Sequence, residues 1–419
     1  MTESLIIKGF WFLPNNDKDR IPGTLLFIPN EEIRLELIGG LDFKIEDLLQ
    51  TKFLETVHGI SHEGEKITLL YCSGFGTLNF SGSFPLMNYR CKYLIKGKHL
   101  SSPSEATFSS TQVDFTLLYE WYPAGRIKYE ISKKGDQNKI NISIDDATYW
   151  EDVIKIDNDY SIKFFGIANF DESFDRKNFS LKQNTLFEVI SNSKKSVFDL
   201  IKKIEVFKQF LSLASLSTIE YSEIQLYDND DYHLLKSGKK VINPSNLFFI
   251  EKRNILKKPS RHEFLFTHND IGEIFIGIII KWYETEQNLA PIRNHLIESI
   301  KNKRVFTSLD FLIIIQALEG FHRRFINSGR IKLESRIIEL YSLFNDVVKV
   351  NRTPLDISQV VGSRGYYSHF YEKDSSVLAG VELFNLTEHL RIILICCVIQ
   401  LIGFNKDLIA KLINKNQNL

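Results

Sequence analysis

Short runs of β-branched and aromatic residues alternate with polar turn clusters over roughly the first 185 residues of the chain. The apolar runs include TLLFI, IRLELIG, KITLLYCSG, RCKYLIKG, VDFTLLYEWY and INISI, and the segments between them include PNNDKDR, HEGEK, LSSPSE and KKGDQN. Runs of this length bounded by turn residues predict β-strands, and many short strands in succession predict a sandwich or a barrel. We therefore expect an antiparallel, β-rich N-terminal domain.

The spacing of apolar residues changes near residue 196. Apolar residues then recur at helical intervals and predict a helix over about 196–216; they are Phe198, Ile201, Ile204, Phe207 and Leu211. Strand character returns in IEYSEIQLYDND. The polar stretch EKRNILKKPSRHEF at 251–264, which contains Pro259, is a candidate linker or a basic loop packed on the sheet.

Helical periodicity dominates from about residue 269 onward. It predicts helices at 270–286, 289–302, 308–328, 332–347, 356–369 and 384–402, and a short tail helix from Lys406. Ser308 and Asp310 offer N-cap chemistry to the helix at 308–328, and Asp356 or Thr353 can cap the helix at 356–369. The predicted fold class is α+β, with a β-rich domain at 1–268 followed by an all-α helical bundle at 269–419.

Charge is balanced overall but not along the chain. Lysine plus arginine equals aspartate plus glutamate at 52 each, which excludes a polycation that coats nucleic acid through bulk charge. Residues 286–419 nevertheless carry 17 basic and 13 acidic side chains, against 35 basic and 39 acidic in the remainder. This asymmetry is expected if only the C-terminal part contacts phosphate.

The cysteines and the apolar segments indicate a cytoplasmic protein. Cys72, Cys91, Cys396 and Cys397 form no CxxC pair and no disulfide-like framework. The N-terminus MTESLIIKGFWFLP lacks the pattern of a signal peptide. The longest apolar run, IILICCVIQLIGF at 392–404, is too short to span a bilayer, so we expect a buried core helix there and no membrane association.

The segment VVGSRGYYSHFYEK joins a permanent cation, Arg364, to a titratable imidazole, His369. Arginine presents a planar fork of donors that matches phosphate oxygens, and a histidine of unperturbed pKa, about 6.5, can accept and return a proton near neutral pH. The 2′-hydroxyl of RNA can act as an internal nucleophile, so the pair could cleave RNA without a metal. The structural alternative is an ion pair or cap at a helix C-terminus.

Two segments resemble one family. The Arg-x4-His spacing before a long apolar helix, with the earlier helix DFLIIIQALEGFHRRF at 310–325, resembles the HEPN ribonuclease superfamily and, within it, the ApeA-like phage-defence proteins. The opening GFWFLPNNDKDRIPGTLLFIPNEEIRLELIGGL at 9–41 is similar to the N-terminal domain of that family.

The resemblance implies a metal-independent endoribonuclease with Arg364 and His369 as catalytic residues and no cofactor. The implied products are a 2′,3′-cyclic phosphate and a 5′-hydroxyl. The resemblance also implies a homodimer formed through the HEPN bundles, an abortive-infection role in anti-phage defence, and an activating ligand of phage or host origin at the N-terminal domain.

Further residues are candidates for support of the site. Glu319, His322 and Arg323 lie within one helical turn. Glu319 and His322 would line the cleft and Arg323 or Arg324 would hold the RNA backbone; the alternative is an exposed polar face on a core helix. Tyr366 and Tyr367 could stack on splayed-out bases of single-stranded RNA or fill the bundle core, with one facing each way.

Gly365 departs from the family pattern, in which the residue after the arginine is usually polar. Either the helix breaks at this glycine or the site is looser than usual. The departure favours an alternative function, a non-catalytic sensor or adaptor with a ligand-binding β domain and a dimerising bundle. A third alternative, a carbohydrate- or peptide-binding β module, would require Trp11, Trp121 and Trp150 to be exposed.

A zinc site is the remaining alternative, and it is disfavoured. His58, His62, Cys72 and Cys91 have the residue types of zinc ligands, but their spacing fits neither a knuckle nor a finger.

Overall fold

The computed structural model describes residues 3–41, 51–77, 86–125, 127–134, 137–144, 153–172, 179–251, 263–301, 308–348 and 354–416. Strands occupy most of the described chain up to residue 249. They are Leu5–Leu13 (β1), Asn16–Ile28 (β2), Glu32–Ile38 (β3), Lys52–Ser61 (β4), Lys66–Thr77 (β5), Leu86–Arg90 (β6), Tyr93–Lys96 (β7), Thr107–Phe115 (β8), Ile127–Lys134 (β9), Gln137–Ile144 (β10), Ile154–Lys155 (β11), Tyr160–Glu172 (β12), Phe179–Ser196 (β13), Tyr221–Leu234 (β14) and Lys240–Phe249 (β15).

Six of these strands close into an antiparallel barrel. The pairings run in the ring order β1, β2, β3, β6, β5, β4 and return to β1. Alternation along β3 shows why the sequence folds this way, because Ile33, Leu35 and Leu37 are buried while Arg34 and Glu36 pair with each other on the outer face. The expectation of a sandwich or barrel-like N-terminal domain is confirmed.

One edge of strand β5 pairs with β4, and its other edge pairs with two different strands. Its first half pairs with β7 and its second half with β6, and Tyr71, with a φ of 55°, stands between the two halves. From β7 the sheet continues through β15, β14, β8, β13 and β12 to β11, while β9 and β10 form a separate hairpin. The N-terminal part is therefore a barrel with an open antiparallel extension.

Helices follow and interrupt the sheet. They are Leu118–Trp121 (α1), Val197–Ser215 (α2), His268–Ile271 (α3), Phe275–Glu284 (α4), Glu286–Lys301 (α5), Ser308–Phe325 (α6), Leu333–Val348 (α7), Ile357–His369 (α8), Gly380–Leu401 (α9) and Lys406–Lys415 (α10). The predicted helix over 270–286 is instead α3, a 3-10 turn at Gly272–Ile274 and α4. Glycine at position 272 weakens a continuous helix there.

The strand predicted over VDFTLLYEWY is wrong in its second half. β8 ends at Phe115, Leu117 takes a left-handed φ of 66°, and the next residues form α1. An apolar run of this length does not distinguish a strand from a short helix. Trp11 and Trp121 are fully buried, which removes support for the ligand-binding β module, and Trp150 lies outside the described residues.

Helix α2 lies between the extended sheet and the helical region. Phe207 stacks on Phe187 of β13, with ring centroids 4.3 Å apart and planes at 13°. On the other side Phe210 meets Trp282 of α4 at 5.5 Å, and the Trp282 indole donates a 2.7 Å hydrogen bond to the Val206 carbonyl. One apolar core thus continues across residue 268, and a boundary between 268 and 269 stays a prediction. The candidate linker over 251–264 falls mostly outside the described residues.

A buried ion cluster joins the central helices of the bundle. Arg391 of α9 donates to Asp310 of α6 and Ser299 of α5, at 2.5 and 2.8 Å, and also contacts Glu388. Asp310 was expected to supply an N-cap, yet its carboxylate pairs with this arginine inside the core. The cluster holds α6 against α9 and so positions the face of α6 that carries Glu319.

Helix α9 has buried side chains on nearly every side. It contains most of the apolar run at 392–404, and the prediction of a core helix there is confirmed. Among the helices in the described part of the chain, none combines the length and the apolarity needed to cross a membrane.

Candidate active site

Helix α8 carries the Arg-x4-His motif. It begins after Pro354 because the Asp356 side chain caps it, accepting hydrogen bonds from the backbone amides of Ser358 and Gln359 at 2.9 and 3.4 Å. The hydrogen bond from the Ser358 hydroxyl lowers the pKa of the Asp356 carboxyl, because it favours the ionised form that accepts these bonds.

The helix ends at His369 because Phe370 adopts a left-handed φ of 57°. The Phe370 amide donates to the Tyr366 carbonyl at 3.1 Å, and the chain then reverses direction. The following loop runs back along α8, where the Leu378 amide donates to the Ser363 hydroxyl at 3.0 Å. This return places Tyr371 over Gly365, so an aromatic ring covers the position next to Arg364.

Arg364 and His369 are in direct contact. One guanidinium nitrogen of Arg364, Nη1, is hydrogen-bonded to Nε2 of His369. A guanidinium has donors and no acceptor, so Arg364 donates in this contact and His369 accepts through Nε2. The pair is solvent-accessible, since the Arg364 side chain is 30 % exposed and His369 is exposed. An imidazole nitrogen therefore lies directly beside a permanent cation.

Glu319 completes a group of three. Its Oε2 lies 3.7 Å from Nη2 of Arg364, and its side chain is 24 % exposed. The carboxylate and the imidazole therefore hold different nitrogens of one guanidinium. A solvent-accessible ion pair of this kind adds little stability, so we assign its main effect to the orientation of the guanidinium.

The two tyrosines of the motif differ in environment. The Tyr367 hydroxyl donates to the Leu378 carbonyl at 3.0 Å, and its ring packs 6.5 Å from Phe311 of α6. Burial, followed by the proximity of Tyr366, raises the pKa of Tyr367. Tyr366 is half-buried and meets Tyr367 edge to face at 4.9 Å. Tyr367 is thus a packing residue, and of the two tyrosines only Tyr366 stays a candidate for contact with RNA.

The supporting role predicted for His322 does not fit its position. Its ring is fully buried, Nε2 lies 2.5 Å from Glu339 of α7, and Nδ1 lies 2.7 Å from Nη1 of Arg336. Arg336 also donates to the Gly329 carbonyl at 2.7 Å, which ties down the connection between α6 and α7. Both imidazole nitrogens are therefore occupied inside the protein and cannot reach RNA.

The arginines of α6 lie outside this group of three. Arg323 is exposed one turn beyond Glu319 on the same helix. Arg324 donates to the Asn288 carbonyl of α5 at 2.5 Å. Arg323 is therefore available to a bound strand, whereas Arg324 links two helices.

Gly365 does not break the helix. It lies inside α8, is buried, and has no left-handed φ. A Cβ at this position would stand 3.1 Å from Cδ2 of Tyr371. The place of the polar side chain expected from the family resemblance is therefore taken by the Tyr371 ring, which lies 5.4 Å from the His369 ring.

Sequence reasoning missed Phe370 and Tyr371 as residues of the site. Both are exposed, at 88 % and 66 %. The available signal was their position directly after His369, where two aromatic residues precede the charged stretch EKD.

The residues considered for zinc lie in the barrel domain: His58 is stacked on His99 at 4.4 Å, and Cys72 and Cys91 are buried. Within the described residues, no group of three or more His, Cys, Asp or Glu is arranged to hold a metal ion.

Two family models match the chain. The model for ApeA N-terminal domain 1 matches residues 6–282, and the model for Apea-like HEPN matches residues 312–408, which include Glu319, Arg364 and His369. No curated protein and no solved structure matches the chain significantly. Because the first model alone covers more than half of the sequence, the chain belongs to the ApeA family, with an ApeA N-terminal domain followed by an ApeA-like HEPN domain.

Proposed function

We propose that this protein is a metal-independent endoribonuclease of an anti-phage defence system, acting through Arg364 and His369. The observation that carries the proposal is the direct contact between the Arg364 guanidinium and the His369 imidazole at a solvent-accessible helix end. Membership of the ApeA family, with a HEPN domain around these residues, supports the same reaction class.

The reaction begins with an exchange of hydrogen-bond partners. A phosphate of RNA offers the Arg364 guanidinium a charged acceptor, which binds more strongly than a neutral imidazole nitrogen. Nε2 of His369 is then free to accept the proton of the adjacent 2′-hydroxyl. Glu319 keeps its side of the guanidinium and limits the movement of Arg364.

Cleavage is an internal transesterification. The 2′-oxygen attacks phosphorus, the bond from phosphorus to the 5′-oxygen breaks, and the 5′-oxygen takes up a proton. The products are a 2′,3′-cyclic phosphate and a 5′-hydroxyl. Arg364 stabilises the charge that develops on the non-bridging oxygens.

A homodimer supplies the second proton-transfer group. The reaction uses one base and one acid, whereas the group around Arg364 contains a single imidazole. Two copies with a two-fold axis near the ends of α8 would bring a second His369 to the same phosphate. We expect sedimentation velocity of the full-length chain to show a dimer, and the cleavage rate per chain to fall on dilution as the dimer dissociates.

The decisive experiment is cleavage of total cellular RNA in the presence of EDTA. We compare the wild type with Arg364→Ala and His369→Ala, and we use His62→Ala as the control because His62 is an exposed histidine in the barrel domain. The wild type and the control should cleave equally, and the two motif variants should cleave at least about 10²-fold more slowly with unchanged melting temperatures. Activity that EDTA abolishes and Mg²⁺ or Mn²⁺ restores would overturn the mechanism.

A non-catalytic sensor or adaptor is the second candidate. It is favoured by the Tyr371 ring, which lies against Gly365 where the family resemblance implies a polar side chain. The N-terminal domain would then bind a phage or host ligand while the bundle dimerises. Under this alternative the wild type leaves RNA intact in the experiment above at every protein concentration.

A further inference from the structure

The chain exposes two aromatic rings immediately after its catalytic histidine. Phe370 has 88 % of its surface exposed, more than any other large hydrophobic residue in the described part of the chain, and Tyr371 has 66 %. Isolated apolar residues on a surface are common. Two consecutive aromatic rings beside a candidate active site are a more specific feature.

The backbone at Phe370 is also unfavourable for stability. Its φ of 57° is left-handed, a conformation that glycine adopts easily and that is an outlier for a bulky side chain. Glycine is the usual residue at this position after a helix. Phe370 therefore has neither the burial nor the backbone conformation that would make an aromatic residue stabilising there.

The Tyr371 ring lies next to the residues that we propose to act on phosphate. The Tyr371 ring lies 5.4 Å from the His369 ring at an angle of 33°, and it rests against Gly365, the neighbour of Arg364. Lys373 follows two residues later and is exposed. A cation for phosphate and a flat apolar surface for a base are the two elements that bind one nucleotide of a single strand.

We propose that Phe370 and Tyr371 form a base-binding shelf that holds an unstacked nucleobase of single-stranded RNA next to the scissile phosphate. This inference rests on the proposed function and specifies its substrate class, because a base inside a duplex has no free face to offer. The shelf selects loops and single-stranded regions. It tolerates any base, since every base has an aromatic face.

The test uses a single-stranded oligonucleotide that carries 2′-O-methyl groups, so that it cannot be cleaved, and 2-aminopurine as the reporter base. Stacking of 2-aminopurine on an aromatic ring quenches its fluorescence. We expect wild-type protein to quench the reporter and Phe370→Ala and Tyr371→Ala to bind roughly 5- to 150-fold more weakly, as the cost of losing one stacked base implies. Phe53→Ala is the matched control, because Phe53 is 79 % exposed on the barrel.

The outcomes separate this inference from the proposed function. Unaltered binding by both shelf variants would overturn the shelf even if the wild type cleaves RNA. Quenching by a wild type that never cleaves RNA would leave the shelf in place and refute the nuclease. Conversion of a dimer into a monomer by Phe370→Ala or Tyr371→Ala in sedimentation velocity would identify the rings as an interface between copies and would also overturn the shelf. Melting temperatures should stay unchanged or rise in Phe370→Gly, which relieves the left-handed φ.

Discussion

Two groups of aromatic residues in this protein differ in burial and in the contacts of their rings. Around α2, Phe207 is fully buried and stacks on Phe187, with Phe164 and Trp121 at 5.2 and 6.0 Å. At the end of α8, Phe370 and Tyr371 are exposed, and the first has a left-handed backbone. The first group fills the junction between the sheet and the helices, whereas the second contributes little burial. The contrast separates residues that hold the fold from residues that are available to a ligand.

The same contrast applies to two histidines of the HEPN domain. His322 is buried between Arg336 and Glu339, and His369 is exposed with its Nε2 on Arg364. The sequence analysis placed both histidines in one candidate site. His322 is thus part of the buried packing, whereas His369 is accessible to a ligand, and substitutions can test the catalytic role that we propose for His369.

The largest effect is expected on activity from His369→Ala. Removal of a general base should slow RNA cleavage by about 10²- to 10⁴-fold, with an unchanged melting temperature because the ring is exposed. The comparison variant, His322→Ala, should instead lose about 1–3 kcal/mol of stability, since Arg336 and Glu339 lose a buried partner, and should cleave normally while folded. Cleavage rates and thermal melts of both variants decide the matter, and the reverse pattern would assign the catalytic role to His322.

The next largest effect is expected on stability from the aromatic junction. Phe207→Ala should lower the free energy of unfolding by about 3–5 kcal/mol, because a fully buried ring leaves a cavity that stacked neighbours cannot fill. Phe370→Ala should leave the melting temperature unchanged. Differential scanning calorimetry of the two variants measures the difference, and equal melting temperatures would mean that the two aromatic groups do not differ in their contribution to the fold.

Two glycines of α8 provide a smaller and sharper comparison. A Cβ at Gly362 would stand 1.8 Å from the Ser376 hydroxyl, whereas a Cβ at Gly365 would meet only the exposed Tyr371 ring, at 3.1 Å. We expect Gly362→Ala to cost about 1–3 kcal/mol through overpacking. Gly365→Ala should change stability by less than about 1 kcal/mol, since alanine favours the helix by about that amount over glycine.

Binding of the 2-aminopurine oligonucleotide checks the other half of this comparison. Gly365→Ala should weaken it, because the new methyl group displaces the Tyr371 ring. Wild-type binding in this variant would show that the position of the ring does not depend on the glycine.

The sequence predicted a helix well where a capping residue and the spacing of apolar residues determine its ends. The Asp356 cap and the apolar spacing placed the motif helix within one residue of α8. The sequence did not predict which strands pair to close the barrel. The pairings of β1 with β4 and of β3 with β6 join distant segments, and their register is fixed only in the assembled core. The change of β5 from pairing with β7 to pairing with β6 at Tyr71 was not predicted for the same reason.

Within the site, the motif predicted the pair of Arg364 and His369, but it did not predict the environments of the residues around them. Positions three apart on a helix differ by about 60° in direction, which is enough to point Glu319 at Arg364 and His322 into the core. Phe370 was missed because neither a left-handed φ nor the exposure of a ring can be read from residue type. Family resemblance supplied the reaction class, and tertiary packing decided which side chains can take part in it.

The smallest predicted effect concerns a titratable ring inside the aromatic junction. His268 of α3 lies 4.1 Å from the Tyr122 ring and 4.8 Å from the Phe275 ring, and burial lowers its pKa from about 6.5 to about 4. The unfolded chain therefore binds more protons than the native protein between these two values, so stability should fall as the pH is lowered from 7 towards 4 and should change no further through this group below pH 4. Because the ring is only half-buried, we expect a contribution of about 1 kcal/mol.

His268→Gln should lose this part of the pH dependence, measured as the difference in melting temperature between pH 7 and pH 5, while the exposed control His62→Gln should retain it. Equal pH dependence in wild type and His268→Gln would show that protonation of His268 does not affect the stability of the junction in this pH range.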